Sequence, residues 1–542
     1  MKNGEVLVRI IAIAFLAFGL LASGNARAAL AKDDCETLAP AEITSGTISL
    51  PTKGAIITSA AFVAADAPDN INGAFCKVLG AIKPVDPAAP DIKFEVNLPV
   101  DWNGKALHYG GGGYNGTLIS GLLNTRFFRP DVPAPVKRGY VTFGSDSGHQ
   151  TPSIADGSFG MNAESLANFA GDQLKKTHDV ALDLIERHYH RKPTRVYFFG
   201  NSQGGHEGFL VIQRWPQDYD GVVAIHPVYD FLPLQIDGNA LSRAMYNAEG
   251  GWLNPAKLKL LQSSVMTACD KLDGAEDGVI SNTAGCAATY KLATLRCADG
   301  KDSGDTCLSD QQIKTVEAIN SPVAIGFALQ GGVSSFPRWP ILEGADWTGL
   351  FGFGTRPKPS NPPEALKDFG LTVLSDAAMR YMVLRDPAAD PLQFDPAKHE
   401  ARLRELSNLA DASSDDISAF RARGGKLLLM HGTVDSAVSP YNTVAYYERL
   451  VARYGQAPLD QFVRFYLAPG FGHGTGQFVV GWDALGTLEH WVENGEAPAP
   501  QVVVDTKPGN NSRSRPLCVY PAWPKYVSGP VDDAASFACV TK

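Results

Sequence analysis

What the chain lacks narrows its function first. No run of Lys and Arg occurs in its 542 residues, and 48 basic against 57 acidic residues give a formal charge of −9. Nucleic-acid phosphates require a dense cationic surface to replace their counterions, so that class of partner is excluded. Internal repeats and low-complexity arrays are also absent, which removes solenoids and fibrous assemblies. No apolar segment reaches the roughly 20 residues that span a bilayer. With 44% hydrophobic and 19% charged residues, what remains is an ordinary globular composition, long enough for two or more structural units or one large domain with an insertion.

The apolar segment that does exist, Ile10 to Ala22, follows Lys2 and Arg9 and precedes Ala26-Arg27-Ala28. Basic start, short apolar stretch and small-residue site form an export leader, so residues 1–28 are expected to be removed and the protein to be secreted or periplasmic. Loss of Lys2, Glu5, Arg9 and Arg27 takes the charge from −9 to −11. All eight cysteines (Cys35, Cys76, Cys269, Cys286, Cys297, Cys307, Cys518, Cys539) lie beyond that point. An even count in an exported chain favours disulfides, and the local grouping suggests 35–76, 269–286, 297–307 and 518–539.

Strand and helix signals alternate on both sides of an irregular middle. Residues 93–99, 106–109 and 138–144 read as strands, Leu174 to His190 as a helix, and Arg195 to Phe199 as a buried strand leading through a tight turn into a helix ending near Ile212. Val222 to Ile225 is a further strand; the pattern resumes with Lys426 to Met430, a helix from Val444 to Tyr454, and Phe462 to Tyr466. Such alternation predicts a parallel α/β sheet. The divisions expected are a first core part at 29–228, an inserted lid at 229–419 and a second core part at 420–542. The tail from Arg515 reads as a disulfide-tied extension.

The turn after the buried strand is Gly200-Asn201-Ser202-Gln203-Gly204, a G-x-S-x-G pattern in its proper strand–turn–helix context. A serine nucleophile needs a base and an acid that orients it, and in folds built this way they follow in the order Ser, Asp, His. Asp435 follows one downstream strand and His473 the next, each at the sheet edge where open α/β folds build sites. His431 and His490 compete as base, but the first opens the acid's own loop and the second falls in a helical stretch. Acyl transfer also requires oxyanion donors: the Gln203 N–H and the run Gly110-Gly111-Gly112-Gly113, with Gly111, Gly112 and Gly113 as the donor candidates, fit that need. Trp347, Phe351 and Phe353 are aromatic candidates for substrate contact.

Four acids crowd residues 270–277, between Asp270 and Asp277. Hard oxygen ligands on a glycine-rich turn suit Ca²⁺, through Asp270, Asp273, Asp277 and backbone carbonyls, although the spacing is not that of an EF-hand.

Taken together, these motifs resemble the tannase/feruloyl esterase family, which includes mono(2-hydroxyethyl) terephthalate hydrolases. The resemblance rests on Trp102-Asn103-Gly104-Lys105 before the glycine run, Ser145-Asp146-Ser147-Gly148-His149, the elbow with Gln213-Arg214-Trp215-Pro216, Cys269-Asp270 with Asp273-Gly274 and Asp277-Gly278, His431-Gly432 with Asp435, Gly472-His473, and Arg515-Pro516-Leu517-Cys518. It implies an α/β-hydrolase core with a large inserted lid, a Ser202, His473, Asp435 triad, and a structural Ca²⁺ held also by the carbonyls of Ala275 and Val279. The implied activity is hydrolysis of small-molecule esters of aromatic acids, with neither nucleic acid nor membrane as partner. Family members typically join a cysteine before the nucleophile to one after the catalytic histidine; Asn201 and Gly474 occupy those places here. The competing expectations are an inactive hydrolase-fold binding protein and a serine hydrolase of non-aromatic esters.

Overall fold

The structure is a computed structural model that describes residues 32–151, 153–510 and 513–541. The expected leader, residues 1–28, lies outside the described residues. The strands are β1 (Ala41–Ile43), β2 (Ala55–Val63), β3 (Phe75–Ile82), β4 (Ile92–Pro99), β5 (Lys105–Tyr109), β6 (Val141–Ser145), β7 (Arg195–Asn201) and β8 (Gly221–Ile225). They continue with a short pair, β9 (Val323–Ala324) and β10 (Ser335–Phe336), then β11 (Lys426–Gly432) and β12 (Val463–Ala468).

Ten of these build one sheet in the order β1-β2-β3-β4-β6-β5-β7-β8-β11-β12. The expectation of a parallel sheet holds for only part of it. From β6 through β12 neighbours run parallel, whereas β1 to β4, and β4 with β6, are antiparallel. The reason lies in the connections: the early strands follow one another without the crossover helix that a parallel pair demands.

Alternation along the parallel strands divides their side chains between two layers. Val196 and Phe198 of β7, with Leu427 and Leu429 of β11, join one core. Tyr197 and Phe199, with Leu428 and Met430, join the other. Period-two alternation with both faces buried is what a helix-covered sheet requires. Helices α1 (Gln173–Tyr189) and α2 (Gln203–Arg214) cover the first face. The central strands therefore have no solvent-facing side, and their carboxyl ends form a fixed edge on which loops can place side chains.

The chain between β8 and β11 is an insertion. It begins with α3 (Phe231–Tyr246) and includes helices Pro255–Cys269, Asp310–Ile319 and Glu400–Ala410. Its side chains, Trp339, Phe353, Phe369 and Leu403 among them, make a third core. The irregular sequence there conceals real helices because polar groups are buried on them: Gln235, Asp237, Asn239 and Ser242 all lie inside α3. A helix with polar residues on its buried face has no clear apolar stripe to read. After β12 come α4 (Ala484–Asn494) and the tail strands β13 (Val480–Gly481), β14 (Gln501–Asp505), β15 (Ser514–Leu517), β16 (Trp523–Tyr526) and β17 (Phe537–Val540).

The four disulfides join the couples expected: Cys35–Cys76, Cys269–Cys286, Cys297–Cys307 and Cys518–Cys539. Among the described residues, no helix is long and apolar enough to cross a membrane.

Candidate active site

Ser202 stands at the junction of β7 and α2 with φ 62° and ψ −121°. A non-glycine residue at positive φ costs on the order of 1–3 kcal/mol and persists only where its surroundings hold it. Here the Ser202 N–H donates to the Ile225 carbonyl (2.9 Å) and its carbonyl accepts from the His206 N–H (3.1 Å). The flanking glycines are steric necessities. A Cβ on Gly200 would lie 1.9 Å from the Gly204 carbonyl oxygen, and one on Gly204 would lie 2.7 Å from that of Gly111. Elbow and glycine run thus meet backbone to backbone.

That contact brings the N–H groups expected to serve as oxyanion donors onto one wall. As the first residue of α2, Gln203 has an N–H without a partner in the helix. In the glycine run, the Gly110 N–H donates to the Phe199 carbonyl (3.0 Å) and that of Gly111 to Glu207 Oε2 (2.8 Å). Gly111 is therefore removed from the expected donor set: its N–H anchors the loop. Among the described residues, no acceptor engages the Gly112 or Gly113 N–H, and no atom lies within 4 Å of where a Gly112 Cβ would stand.

Glu207 was not foreseen. It is fully buried on α2, and besides Gly111 it accepts from Asn115 Nδ2 (2.6 Å) and Gln173 Nε2 (3.1 Å). Burial pushes its carboxyl up to about 7, against the downward pull of those three hydrogen bonds.

On the other side, the Nδ1 of His473 lies 2.8 Å from Asp435 Oδ2. Asp435 is fully buried, and its Oδ1 accepts from the N–H groups of Ala437 (2.7 Å) and Val438 (3.0 Å), which fixes the carboxylate plane. Burial alone would raise its pKa; the imidazoles of His473, His431 and His226 outweigh that and hold it well below the usual range. His431 is not a rival base. It is buried, between the Thr443 hydroxyl (2.8 Å) and the Val438 carbonyl (3.0 Å), with Nε2 3.3 Å from Asp435. His490 is exposed on α4 beside Glu496.

His226 was also missed. It follows β8 at φ 46°, buried, with Nδ1 2.9 Å from Asn201 Oδ1 and Nε2 3.9 Å from Asp435 Oδ2. Its ring lies 5.1 Å from that of His473 and 4.9 Å from Phe471. Thus Asn201, beside the serine, reaches the histidine loop through an intervening imidazole. The only signal in the sequence was a histidine directly after a core strand, which also describes many structural histidines.

Ser202, Gln203, Gly112, Gly113 and His473 line one cavity of about 640 Å³, a size suited to a small organic molecule. The insertion supplies Phe231, Leu234, Gln235, Leu350 and Phe351 to its wall. Of the three aromatic candidates only Phe351 reaches it, with its ring 5.4 Å from that of His473 at 80°. Trp347 and Phe353 are buried against each other in the insertion's core.

The acidic loop is elsewhere. Asp273 accepts from the N–H groups of Ala275 (3.1 Å) and Ser281 (2.9 Å), and Asp270 from that of Gly278 (3.0 Å). Asp277 pairs with Arg515, and its Oδ2 lies 3.3 Å from Arg513. Burial first, and the Asp277 charge further down, raise the carboxyls of Asp270 and Asp273. Such mutually repelling carboxylates, held in place by backbone donors, match the chemistry of a hard cation, although two arginines already offset part of their charge.

The chain matches the family described as tannase and feruloyl esterase over residues 76–540. It is 40% identical over 515 residues to an uncharacterized esterase of Agrobacterium fabrum, covering 93% of this chain and 92% of that protein. It is 30% identical over 526 residues to the mono(2-hydroxyethyl) terephthalate hydrolase of Piscinibacter sakaiensis, covering 86% and 84% respectively. Feruloyl esterase B from Aspergillus oryzae superposes with a TM-score of 0.75 at 24% identity, over 94% of this chain and 100% of the other, which supports the shared α/β-hydrolase fold. The matched span runs from the second cysteine to the last strand and takes in the elbow, the acid loop and the histidine loop, and on that evidence this carboxylic ester hydrolase belongs to the tannase and feruloyl esterase family.

Proposed function

We infer that the protein is an exported serine esterase that cleaves esters of aromatic acids through an acyl-enzyme. The observation that carries this is Ser202, held at positive φ on the wall of the cavity that His473 also lines, with Asp435 bonded to the far nitrogen of His473. His473 takes the Ser202 hydroxyl proton as Oγ attacks the ester carbonyl. The N–H groups of Gln203 and of Gly112 or Gly113 receive the developing oxyanion, and Asp435 holds the imidazole tautomer and stabilises its charged form. Collapse expels the alcohol with the proton from His473, and water repeats the attack on the acyl-enzyme.

The insertion acts as the lid that shapes the acyl pocket, through Phe231, Leu234 and Phe351. Arg126 lines the same cavity and, among the described residues, has no ion-pair partner. An unpaired guanidinium on an otherwise uncharged wall favours an acid that carries a second carboxylate, so a terephthalate half-ester ranks above ferulate and gallate esters.

The nucleophile and histidine loops lie far apart in sequence, and a tie between them would hold Ser202 and His473 in register. In place of the family's disulfide at positions 201 and 474, packing of His226 between Asn201 and the His473 loop supplies it. In the insertion, Ca²⁺ would be held by Asp270, Asp273 and Asp277 with the carbonyls of Ala275 and Val279, where it would neutralise the acidic turn. Export rests on the leader pattern and accords with the four disulfides.

Purified protein is assayed on mono(2-hydroxyethyl) terephthalate, methyl ferulate, methyl gallate and a p-nitrophenyl ester, beside Ser202→Ala. Turnover of an aromatic ester that disappears in the variant supports the reading, and turnover of the activated ester alone overturns the substrate assignment. Arg126→Gln is expected to raise KM for the half-ester about tenfold and leave methyl ferulate unchanged. Chelation of calcium is expected to lower the melting temperature without abolishing folding; an unchanged melting curve would remove calcium from the account.

A further inference from the structure

Among the described residues, one group of three potential metal-ligating side chains gathers its donor atoms within 4.8 Å of one another: His226, Asp435 and His473. Two of these belong to the catalytic machinery; His226 has no part in the chemistry. Its Nδ1 faces Asn201 Oδ1, an acceptor, so the ring proton resides on Nδ1. The lone pair of Nε2 is then left buried, without a hydrogen-bond donor, and pointing to the Asp435 carboxylate 3.9 Å away. Nε2 and the carboxylate oxygen are both electron-rich and face one another at 3.9 Å, an arrangement that a cation relieves.

We propose that His226 Nε2, Asp435 and His473 Nδ1 form an inhibitory site for a divalent transition-metal ion such as Zn²⁺. Two imidazoles and one carboxylate suit borderline metals in preference to Ca²⁺ or Mg²⁺. The supporting shell has the form that metal sites use. Asn201 Oδ1 accepts a hydrogen bond from His226 Nδ1–H and so sets its tautomer, while the Ala437 and Val438 N–H groups orient the carboxylate. The ion enters through the active-site cavity, which reaches both Asn201 and His473.

Inhibition follows from proton placement. In the active tautomer His473 carries its proton on Nδ1, against Asp435, and offers the Nε2 lone pair to the serine hydroxyl. A metal at Nδ1 takes that lone-pair position, and the single ring proton moves to Nε2. No proton is gained or lost by the neutral ring, but the nitrogen facing Ser202 can no longer accept one. The nucleophile is left unactivated until the ion leaves.

The test uses the full protein in millimolar Ca²⁺, which saturates the acidic loop and keeps zinc from being read there. Zn²⁺ is expected to inhibit hydrolysis of an activated p-nitrophenyl ester reversibly, with recovery on adding a zinc-selective chelator. His226→Gln is expected to raise the half-inhibitory concentration at least about tenfold. A second measurement needs neither substrate nor that variant to fold. Co²⁺ bound to Ser202→Ala should give two exchangeable, hyperfine-shifted imidazole N–H proton signals, from His226 and His473. Equal zinc sensitivity in wild type and His226→Gln, no inhibition by zinc, or fewer than two such signals would each overturn the proposal. Because cobalt binding is read without turnover, its failure is distinct from failure of the esterase assignment.

Discussion

Two buried carboxylates flank the nucleophile and answer burial in opposite ways. Asp435, behind the base, is held well below the usual carboxylate range; Glu207, behind the glycine loop, is pushed up to about 7. Both are fully buried, so desolvation is not what separates them. The difference lies in the partners. Asp435 faces three imidazoles, one of which becomes cationic in the reaction, whereas Glu207 meets two side-chain amides and one backbone N–H, all neutral. A charge is kept where a charge will develop. On the oxyanion side, where the negative charge belongs to the substrate, a fixed carboxylate near the loop would oppose it, and a carboxyl that burial makes easy to protonate opposes it less.

The largest expected effect comes from removing the charge that is needed. Asp435→Asn should lower kcat about 10⁴-fold while leaving KM near its wild-type value, because the amide favours the wrong imidazole tautomer without emptying the cavity. Steady-state kinetics on the best ester checks this, and a fall under about tenfold would detach Asp435 from the triad. Next is loss of the carboxyl that anchors the glycine loop. Glu207→Ala frees the Gly111 N–H inside the protein and releases the loop that presents Gly112 and Gly113, with an expected loss of about 10²-fold in kcat/KM, mostly in kcat. If the loss appears in KM alone, Glu207 shapes binding and not the oxyanion site.

The same comparison shows why parts of the site were legible in the sequence and others were not. Ser202, Asp435 and His473 each follow a strongly apolar strand, so local pattern places them on one sheet edge before any contact is known. The disulfide couples were legible because each closes a short stretch of chain, 41 residues at most. Glu207 and His226 act through partners 96 and 25 residues away, at Gly111 and Asn201; nothing in their own neighbourhood announces that. The antiparallel half of the sheet and the helices of the insertion were lost for the same reason. Strand direction depends on connections, and α3 buries polar residues that only tertiary partners satisfy, as Trp339 Nε1 does for Asp237 Oδ2 at 2.8 Å.

The smallest effect in this series is the most direct test of the contrast. Glu207 has its carboxyl raised from 4.5 to about 7 in the folded protein. Between those values the folded state binds a proton that the unfolded chain has released, so its contribution to stability is greatest below pH 4.5 and is lost as pH rises through 7. Glu207→Gln removes that titration and preserves the neutral form's hydrogen bonding. Its Oε1 can accept from Gly111, and, once the Asn115 amide turns over from its present Nδ2-facing orientation, its Nε2 can donate to the Asn115 side-chain oxygen, which has no partner now. Denaturant unfolding of both proteins at pH 5 and pH 7.5 should therefore show wild type losing about 2 kcal/mol relative to the variant across that interval. Asp435 shifts the other way, so its contribution is present above the ordinary carboxylate pKa and is lost only in stronger acid. A pH-independent difference between wild type and Glu207→Gln would mean that Glu207 is ionised throughout, and that the loop presenting the oxyanion donors rests on a charge after all.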